Sequence, residues 1–286
     1  MNTENAFDYA LLDCGNGVRI ERFGSRIIRR PCPMVSEKMI HPQWLTSAVD
    51  AEFFVDDAGK QWQKAEDISD TWNISVNDVV AELRFSRNGQ VGLFPEQLGN
   101  WRWIARQVAK SNKPLRILNG FAYTGMSTLH ASASHTEVCH VDGAKSAITW
   151  AKKNAELSGL RDANIRWICD DVVRFMEREI KRGRRYDAVI LDPPAFGRGG
   201  GQTWKIEKDT PRLMHAVEEL LVDNPAFVVL SCHAPRHFSM QSLADMLEQM
   251  PQWHRQKAEQ TLLQIPSKNG NNLNASFGAR ISRFDA

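Results

Sequence analysis

The residues with the clearest chemical potential stand where five short apolar runs of the sequence end. The first run is followed by a glycine-containing turn from Asn119 to Gly125, and the second by Asp142. The other three are followed by Asp170-Asp171, Asp192-Pro193-Pro194 and Ser231-Cys232-His233. Carboxylates accept hydrogen bonds from sugar hydroxyls and a thiolate is a nucleophile, so this set suits chemistry on or beside a nucleoside.

The turn after the first run separates this chain from dinucleotide-binding proteins. Asn119 to Gly125 lacks the GxGxxG spacing that cradles a pyrophosphate. Asp142 lies 17 residues beyond Gly125, where a carboxylate can accept hydrogen bonds from two ribose hydroxyls. The sequence therefore predicts a site for a nucleoside without a diphosphate, and an NAD-dependent dehydrogenase is a weaker alternative.

Buried strands separated by helices must position these residues. The runs RILN, VCHVD, IRWIC, AVILD and FVVLS alternate with predicted helices at 144–157, 171–182, 209–222 and 239–250. This alternation predicts an α/β fold with a Rossmann-like, mostly parallel sheet whose strands end at one edge. Two further strands, joined by a loop at 269–274, should pair antiparallel, so the last strand is expected to be antiparallel.

The first part of the chain has a different pattern, in which short apolar runs are interrupted by turn signals. Asn16-Gly17 predicts one hairpin, and a second is expected from Glu52 to Lys64. We therefore expect a small β-rich N-terminal domain over residues 1–85 and a larger domain over residues 86–286. A helix that begins near Pro95 should join the two parts.

Tryptophans are concentrated in the first 103 residues, which hold five of the nine. Trp101 and Trp103 are expected to anchor the helix that joins the two parts. Trp44, Trp62 and Trp72 are expected to fill the core of the small domain rather than to stack on bases.

Composition argues against several classes of protein. The 286 residues carry 36 basic and 34 acidic side chains, and the net charge of +2 neither demands nor excludes a polyanionic partner. No run approaches the roughly 20 apolar residues that a membrane span needs, and we expect neither export nor membrane insertion. The five scattered cysteines form no CxxC pair. We therefore expect a cytoplasmic protein without disulfides or a metal, and the oligomeric state stays open.

Three segments carry a resemblance to a known enzyme family: ILNGFAYTG, VDGAKSAITWAKKNAELSGL and CDDVVRFMEREIKRGRRYDAVILDPPAFGRG. They resemble class I S-adenosylmethionine-dependent methyltransferases of the bacterial 23S rRNA methyltransferase group, in a branch that includes cytosine-5 enzymes. The resemblance covers residues 90–285 and implies S-adenosyl-L-methionine as cofactor and rRNA as partner. Gly120 and Ala195 replace the Leu and Lys common in the group. The RNA-binding module found at the front of many members is not recognisable in residues 1–90.

The resemblance also implies cofactor contacts, position by position. Asn119 to Gly125 would border the methionine part, Asp142 the ribose, and Asp171 the adenine amino group, with Asp170 as the fallback. Phe94 to Gln97 resembles the segment that covers the cofactor. The implied cofactor-binding residues are Phe94, Gln97, Asn119, Gly120, Phe121, Tyr123, Thr124, Gly125, Asp142, Gly143, Ala144, Asp171, Asp192 and Pro193.

The acceptor side of the predicted site consists of Asp192-Pro193-Pro194, which matches the family motif that borders the sulfonium and the target base. C5 of a pyrimidine is a poor nucleophile, and a thiolate must first add to C6 before C5 accepts a methyl group. The hypothesis is that Cys232 is this covalent nucleophile and that Asp192 orients the pyrimidine or assists proton transfer. Three alternatives stay open: methylation of an exocyclic amine with Cys232 in the core, a non-RNA acceptor, and a non-catalytic nucleic-acid-binding module.

Basic and aromatic residues beside this motif are candidates for substrate contact. The predicted substrate-binding residues are Pro194, Phe196, Arg198, Trp204 and Lys205, and further candidates after the fifth strand are His233, Arg236 and His237. Six basic residues between Arg174 and Arg185 are expected to form a solvated helix face rather than an RNA site.

Overall fold

The computed structural model describes residues 7–56, 59–199, 202–233, 237–253, 256–268 and 271–285. The chain divides into two compact units. The first unit is built on the chain up to Pro95 together with Gln264–Asn274, and the second on Glu96–Leu263 together with Ala275–Ala286. The domain boundary after residue 85 stays a prediction.

The first unit is rich in strands, as its sequence pattern predicts. Its seven strands are β1 (Tyr9–Gly15), β2 (Val18–Phe23), β3 (Arg26–Pro31), β4 (Ala51–Asp56), β5 (Gly59–Lys64), β6 (Thr71–Val76) and β7 (Val79–Arg84). Strands β1 to β5 form one sheet in chain order, and β6 pairs with β7 in a separate antiparallel ribbon. The sheet is antiparallel except for the short parallel pairing of β3 with β4.

Both predicted hairpins of this unit are confirmed. Between β1 and β2, Asn16 and Gly17 have φ of 54° and 77°, and Gly15 pairs with Val18 across the turn. A two-residue turn with two positive φ values follows the twist of the flanking strands, which explains the Asn-Gly pair. In the second hairpin, β4 and β5 pair antiparallel from Ala51 and Lys64 to Asp56 and Gly59.

The tryptophans of the first unit pack against other aromatic rings. Trp62 and Trp72 are half-buried, and the ring of Phe85 lies 4.8 Å and 5.0 Å from theirs. The indole Nε1 of Trp62 donates to the Ser86 carbonyl at 2.7 Å, and that of Trp72 to the Phe23 carbonyl at 3.2 Å. These contacts fit the expected packing role of the two rings.

The second unit is built around a seven-stranded sheet with helices on both faces, and two strands of this sheet extend into the segment Gln264–Asn274 of the first unit. Its elements are α1 (Leu98–Lys110), β8 (Leu115–Gly120), α2 (Met126–His130), β9 (Thr136–Asp142), α3 (Lys145–Leu157), β10 (Ile165–Cys169), α4 (Val172–Lys181), β11 (Ala188–Leu191), β12 (Phe196–Gly199), β13 (Gln202–Lys205), α5 (Ile206–Leu220), β14 (Phe227–Cys232), α6 (Met240–Glu248), β15 (Glu259–Ile265) and β16 (Leu273–Ser282).

The strand order of the large sheet is β10-β9-β8-β11-β14-β16-β15. Strands β10, β9, β8, β11 and β14 are parallel, and β16 is antiparallel to β14, which confirms the predicted mixed sheet. The chain moves outward from β8 to β10 and then returns to β11 on the other side of β8. A ligand crevice is therefore expected beyond the carboxyl ends of β8 and β11, where the strand order reverses.

The side chains of β14 alternate between the two faces of this sheet. Val228, Leu230 and Cys232 belong to the core cluster that also contains residues of α4, α5 and α6. Phe227 and Val229 belong to the cluster that contains residues of α1, where Trp103 and Phe227 meet edge to face. Because a strand has a side-chain period of two, Ser231 and Cys232 leave the sheet on opposite faces.

Candidate active site

The turn after β8 has an unusual backbone conformation. Phe121, Tyr123 and Gly125 have φ of 57°, 47° and 86°. Two non-glycine residues in the left-handed region within three positions cost of order 1–3 kcal/mol each, a strain that proteins tolerate mainly at functional sites. A Cβ on Gly125 would lie 2.9 Å from Cβ of Ala151, so a methyl group there would collide with α3.

Gly120 brings the turn close to its neighbours. A Cβ at this position would lie 2.6 Å from Val172 and 2.9 Å from Leu191, the first residue of α4 and the last residue of β11. Glycine therefore allows the end of β8 to pack tightly against α4 and β11. The family resemblance assigns this turn to the methionine part of the cofactor.

Asp142 at the end of β9 is held by backbone groups. Its Oδ2 accepts a hydrogen bond from the Tyr123 amide at 2.8 Å, and its Oδ1 accepts one from the Ala144 amide at 2.8 Å. Burial raises the pKa of Asp142, although both amide bonds act in the opposite direction. The carboxylate thus has a fixed orientation between the turn and the start of α3, and it retains lone pairs for two sugar hydroxyls.

The acidic pair after β10 has local partners. Asp171 caps α4, with Oδ1 accepting from the Arg174 amide at 2.9 Å, and Asp170 forms an ion pair with Arg178. The Asp170 amide donates to the Asp142 carbonyl at 3.0 Å, which places this pair beside the Asp142 site. The adenine role of Asp171, like the cofactor roles of Gly143 and Ala144, stays a prediction.

Asp192, directly after β11, is the centre of a side-chain network. Its Oδ1 accepts from the Ser231 hydroxyl at 2.6 Å and lies 3.1 Å from Nε2 of His233. Gln97 donates to Ser231 Oγ at 3.2 Å, and Asn100 donates to Gln97 Oε1 at 2.8 Å. The ends of β11 and β14 are thereby linked to the start of α1.

Charge within this network is strongly coupled. Burial alone would raise the pKa of Asp192, but the positive charge of His233 and hydrogen bonds from His233, Ser231 and Gln97 lower it. Burial opposes the charged form of His233 as well, yet the charges of Asp192 and Glu96 raise its pKa to about 9. At neutral pH the pair is therefore an aspartate and an imidazolium.

Trp204 holds the Asp-Pro-Pro segment in place. Its indole Nε1 donates to the Pro194 carbonyl at 2.7 Å, and its ring lies 5.0 Å from that of Phe121. The ring is buried. Through these two contacts Trp204 connects the β12–β13 ribbon to the Asp-Pro-Pro motif and to the turn after β8. Its predicted contact with substrate stays a prediction.

The other predicted substrate residues differ in exposure. Phe196 has 54% of its surface exposed, and Lys205 is exposed next to the start of α5. The backbone of Arg198 lies in β12, but its side chain is outside the described part of the structure, and Arg236 lies outside the described residues. His237 is exposed.

Cys232 is buried on the α5 and α6 side of the sheet, with 1% of its surface exposed. It lines a small cavity together with Pro193 and Ser231, and Phe238 lies in the same wall. The Ser276 hydroxyl donates to the Cys232 carbonyl at 2.6 Å, which fixes the end of β14. Cys232 therefore shares a cavity with Pro193 of the Asp-Pro-Pro motif, and its side chain lies among core residues.

Two residues of the predicted covering segment fall in different units. Gln97 is buried in the second unit, where it belongs to the Asp192 network. Phe94 belongs to the first unit, and its contact with cofactor stays a prediction. Sequence reasoning missed the links of Asp192 to Ser231 and His233, and it missed Asn100 entirely.

Three of the six basic residues between Arg174 and Arg185 pair with two carboxylates. Arg178 pairs with Asp170, and Arg182 and Arg184 both lie within ion-pair distance of Glu179. This pairing fits a structural helix face. Among the described residues no cluster of His, Cys, Asp and Glu could hold a metal ion, and no helix is long and apolar enough to cross a membrane.

This chain is similar to methyltransferases of known sequence and structure. Residues 40–254 match the S-adenosylmethionine-dependent methyltransferase family. The chain belongs to this family. A crystal structure described as a SAM-dependent methyltransferase from Agrobacterium tumefaciens matches with a TM-score of 0.88 and 34% identity, over 96% of this chain and 90% of that one.

Curated relatives have more specific names. Ribosomal RNA large subunit methyltransferase I of Aeromonas salmonicida is 34% identical over 118 residues, which are 41% of this chain and 29% of that protein. Ribosomal RNA large subunit methyltransferase K of Neisseria meningitidis is 26% identical over 170 residues, 58% of this chain and 46% of that protein. The chain thus spans less than half the length of these two relatives.

S-adenosylmethionine is the cofactor of this methyltransferase, and the residues at the sheet edge fit it. Asp142 presents an oriented carboxylate beside the strained turn after β8, and a carboxylate accepts hydrogen bonds from ribose hydroxyls. A protein of the same fold, described as SMU.776, a putative methyltransferase, has been crystallised with S-adenosylhomocysteine; it matches with a TM-score of 0.75 and 17% identity, over 98% of this chain and 76% of that one.

Proposed function

We propose that this methyltransferase modifies a nucleobase of large-subunit ribosomal RNA, in the cytoplasm. The observation that carries the proposal is the position of Asp192, a carboxylate with 29% of its side chain exposed, directly after β11 and beside the cofactor turn. Phe196, four residues later, offers an exposed aromatic ring for stacking on a base. The names of the curated relatives support rRNA as the substrate.

We further propose that the acceptor is C5 of a pyrimidine, with cytosine as the first candidate and Cys232 as the covalent nucleophile. Cys232 follows Ser231 at the end of β14, and both line the small cavity that also includes Pro193. In this mechanism the thiolate adds to C6 and C5 takes the methyl group. A base then removes the C5 proton, the C5–C6 double bond re-forms, and the C6–S bond breaks to release the thiolate. The buried thiol must become accessible when substrate enters. It must also lose its proton, because only the thiolate is nucleophilic.

When bound, S-adenosylmethionine supplies an electrophilic methyl group on a sulfonium. The chain's residues have the task of alignment: Asp142 would bind the ribose hydroxyls, and the turn from Asn119 to Gly125 would hold the methionine part. Asp192 would orient the edge of the base or accept its proton. Pro194, Arg198 and Lys205 are proposed to contact RNA around that base.

Methylation of an exocyclic amine is the second candidate, and one observation favours it. The side chain of Asp192 is partly exposed at the site, whereas Cys232 is almost completely buried. A carboxylate can hold an amino group in line with the methyl donor without any thiol. In that case Cys232 is a core residue.

The two candidates differ in their response to Cys232→Ser. For C5 chemistry, methyl transfer to rRNA should fall by about 10³-fold or more, because the thiolate is required for nucleophilic activation. The matched control is Cys139→Ser, a change of another buried cysteine in the same sheet. Affinity for S-adenosylhomocysteine, measured by calorimetry, should stay near wild type in both variants.

A second measurement is direct trapping. RNA with 5-fluorocytidine should form a denaturation-resistant adduct with the wild type, because fluorine at C5 cannot leave as a cation. No adduct should form with Cys232→Ser. Full activity of Cys232→Ser, together with the absence of an adduct in the wild type, would assign the reaction to the amine candidate.

A further inference from the structure

The residue directly after Cys232 contacts the carboxylate of the Asp-Pro-Pro motif. His233 follows β14, and its Nε2 lies 3.1 Å from Oδ1 of Asp192. The same oxygen accepts the Ser231 hydroxyl at 2.6 Å. Two donors from the end of one strand thus converge on one carboxylate oxygen at the end of the neighbouring strand.

The network behind this pair is buried and directional. Asn100 donates to Gln97, Gln97 donates to Ser231, and Ser231 donates to Asp192. Asn100 and Gln97 are both buried, so each depends on this chain of bonds. Ser231 donates to Oδ1 of Asp192 and is itself held by Gln97, which lies at the start of α1. The position of this oxygen is therefore fixed by residues of β14 and of the α1 region.

We propose that His233 is a positioning residue that, together with Ser231, fixes the orientation and the negative charge of Asp192 at the methyl-transfer site. This inference rests on the proposed function in that it assigns Asp192 to the acceptor. His233 acts through Asp192, and no direct role in a bond-forming step is assigned to it.

The charges around His233 support this role. The groups that act electrostatically on it are Asp192, from the end of β11, and Glu96, from the short helix that precedes α1. Both are acidic, so an imidazolium is stabilised from two elements. The imidazolium in turn opposes the effect that burial has on Asp192, a carboxylate that would otherwise be easier to protonate.

The test measures the ionisation of Asp192 separately from activity. Carboxyl ¹³C signals of labelled aspartate are followed by NMR against pH, and Asp192 is assigned from the signal lost in Asp192→Asn. In His233→Gln the Asp192 signal should titrate at clearly higher pH than in the wild type, because the cation is gone. In His233→Lys, which restores a cation, the titration should return toward that of the wild type.

Activity provides the second readout. The acidic limb of the kcat profile for rRNA methylation should move to higher pH in His233→Gln, with a loss of about tenfold to a hundredfold at pH 6 that shrinks as pH rises. The control is His215→Gln, which removes an exposed histidine paired with Glu219 on α5 and should leave the profile unchanged. Thermal unfolding shows that each variant is folded.

The outcomes separate the two proposals. If Asp192 titrates at the same pH in His233→Gln and in the wild type, the positioning role is wrong, whatever the activity. If His233→Gln does not fold, His233→Lys decides instead: an Asp192 titration near that of the wild type supports the role of the cation, and a titration at clearly higher pH contradicts it. If the wild-type protein transfers no methyl group to rRNA, the proposed function fails, and the NMR titration still decides the role of His233.

Discussion

The two halves of the candidate site are held by different kinds of interaction. On the side proposed to bind the cofactor, Asp142 is oriented by the backbone amides of Tyr123 and Ala144. On the proposed acceptor side, Asp192 is oriented by the side chains of Ser231 and His233. A backbone cradle needs mainly a turn of the right shape, whereas a side-chain network needs particular residues on several elements.

This difference has a consequence for substitution. Backbone donors survive most changes of side chain, so the cofactor half should tolerate variation except at Asp142 and at the glycines of the turn. The acceptor half should be sensitive at each member of its network, since removing one member leaves a buried partner without its hydrogen bond. Three changes test the comparison, in decreasing order of expected effect.

The largest effect is expected from Asp192→Asn. The amide keeps the shape of the side chain but loses the negative charge, so methyl transfer to rRNA should fall by about 10²-fold to 10⁴-fold. Binding of S-adenosylhomocysteine, measured by calorimetry, should change far less. Asp187→Asn is the matched control, because Asp187 lies before the same strand, at the opposite edge of the sheet, and accepts a bond from the Arg116 amide. Equal loss in both variants would contradict an acceptor role.

A smaller effect, confined to binding, is expected from Asp142→Ala. Loss of the proposed charge-assisted hydrogen bonds to two ribose hydroxyls should weaken S-adenosylhomocysteine binding by about 10-fold to 100-fold. Activity should recover in part at high cofactor concentration, because the acceptor half is untouched. A fall in kcat at saturating cofactor that equals the fall caused by Asp192→Asn would contradict the division into two halves.

The smallest effect concerns stability and the shape of the turn. Gly125→Ala forces a methyl group toward Ala151 at a φ of 86° and should lower the free energy of unfolding by about 1–3 kcal/mol. Gly159→Ala, at a φ of 69° with open space around it, should lower it by only about 1 kcal/mol. Urea unfolding measures both. Equal losses would mean that the close approach to α3 is not required.

The same difference explains how much of the molecule the sequence predicts. The sheet and the place of Asp142 follow from short apolar runs and from spacing along one strand–helix–strand unit, which is local information. Three of the four predicted helices begin within a residue or two of the starts of α3, α4 and α6. The fourth is predicted to begin at 209, whereas α5 begins at Ile206. The sequence predicts the Asn16-Gly17 hairpin equally well, because its turn requires two positive φ values and Asn-Gly is a pair that adopts them.

What the sequence does not predict depends on contacts between distant segments. The bonds that join Asn100, Gln97, Ser231 and Asp192 connect residues up to 134 positions apart, and no periodicity encodes them. The burial of Trp204 depends on the β12–β13 hairpin folding back onto Phe121, and an aromatic residue near a glycine-rich loop gives no sign of this. The alternation of side chains along β14 does predict the face on which Cys232 lies, because Cys232 shares that face with Val228 and Leu230.

The central claim, methylation of a nucleobase in large-subunit rRNA, is tested most directly by mass spectrometry of that RNA from a strain without this gene. The account predicts that one methylated nucleoside is lost and is restored by the wild-type gene but not by Asp192→Asn. A position at C5 of a pyrimidine would support Cys232 as nucleophile, and a position on an exocyclic amine would support the second candidate. An rRNA methylation profile identical to that of the parent strain would contradict the claim.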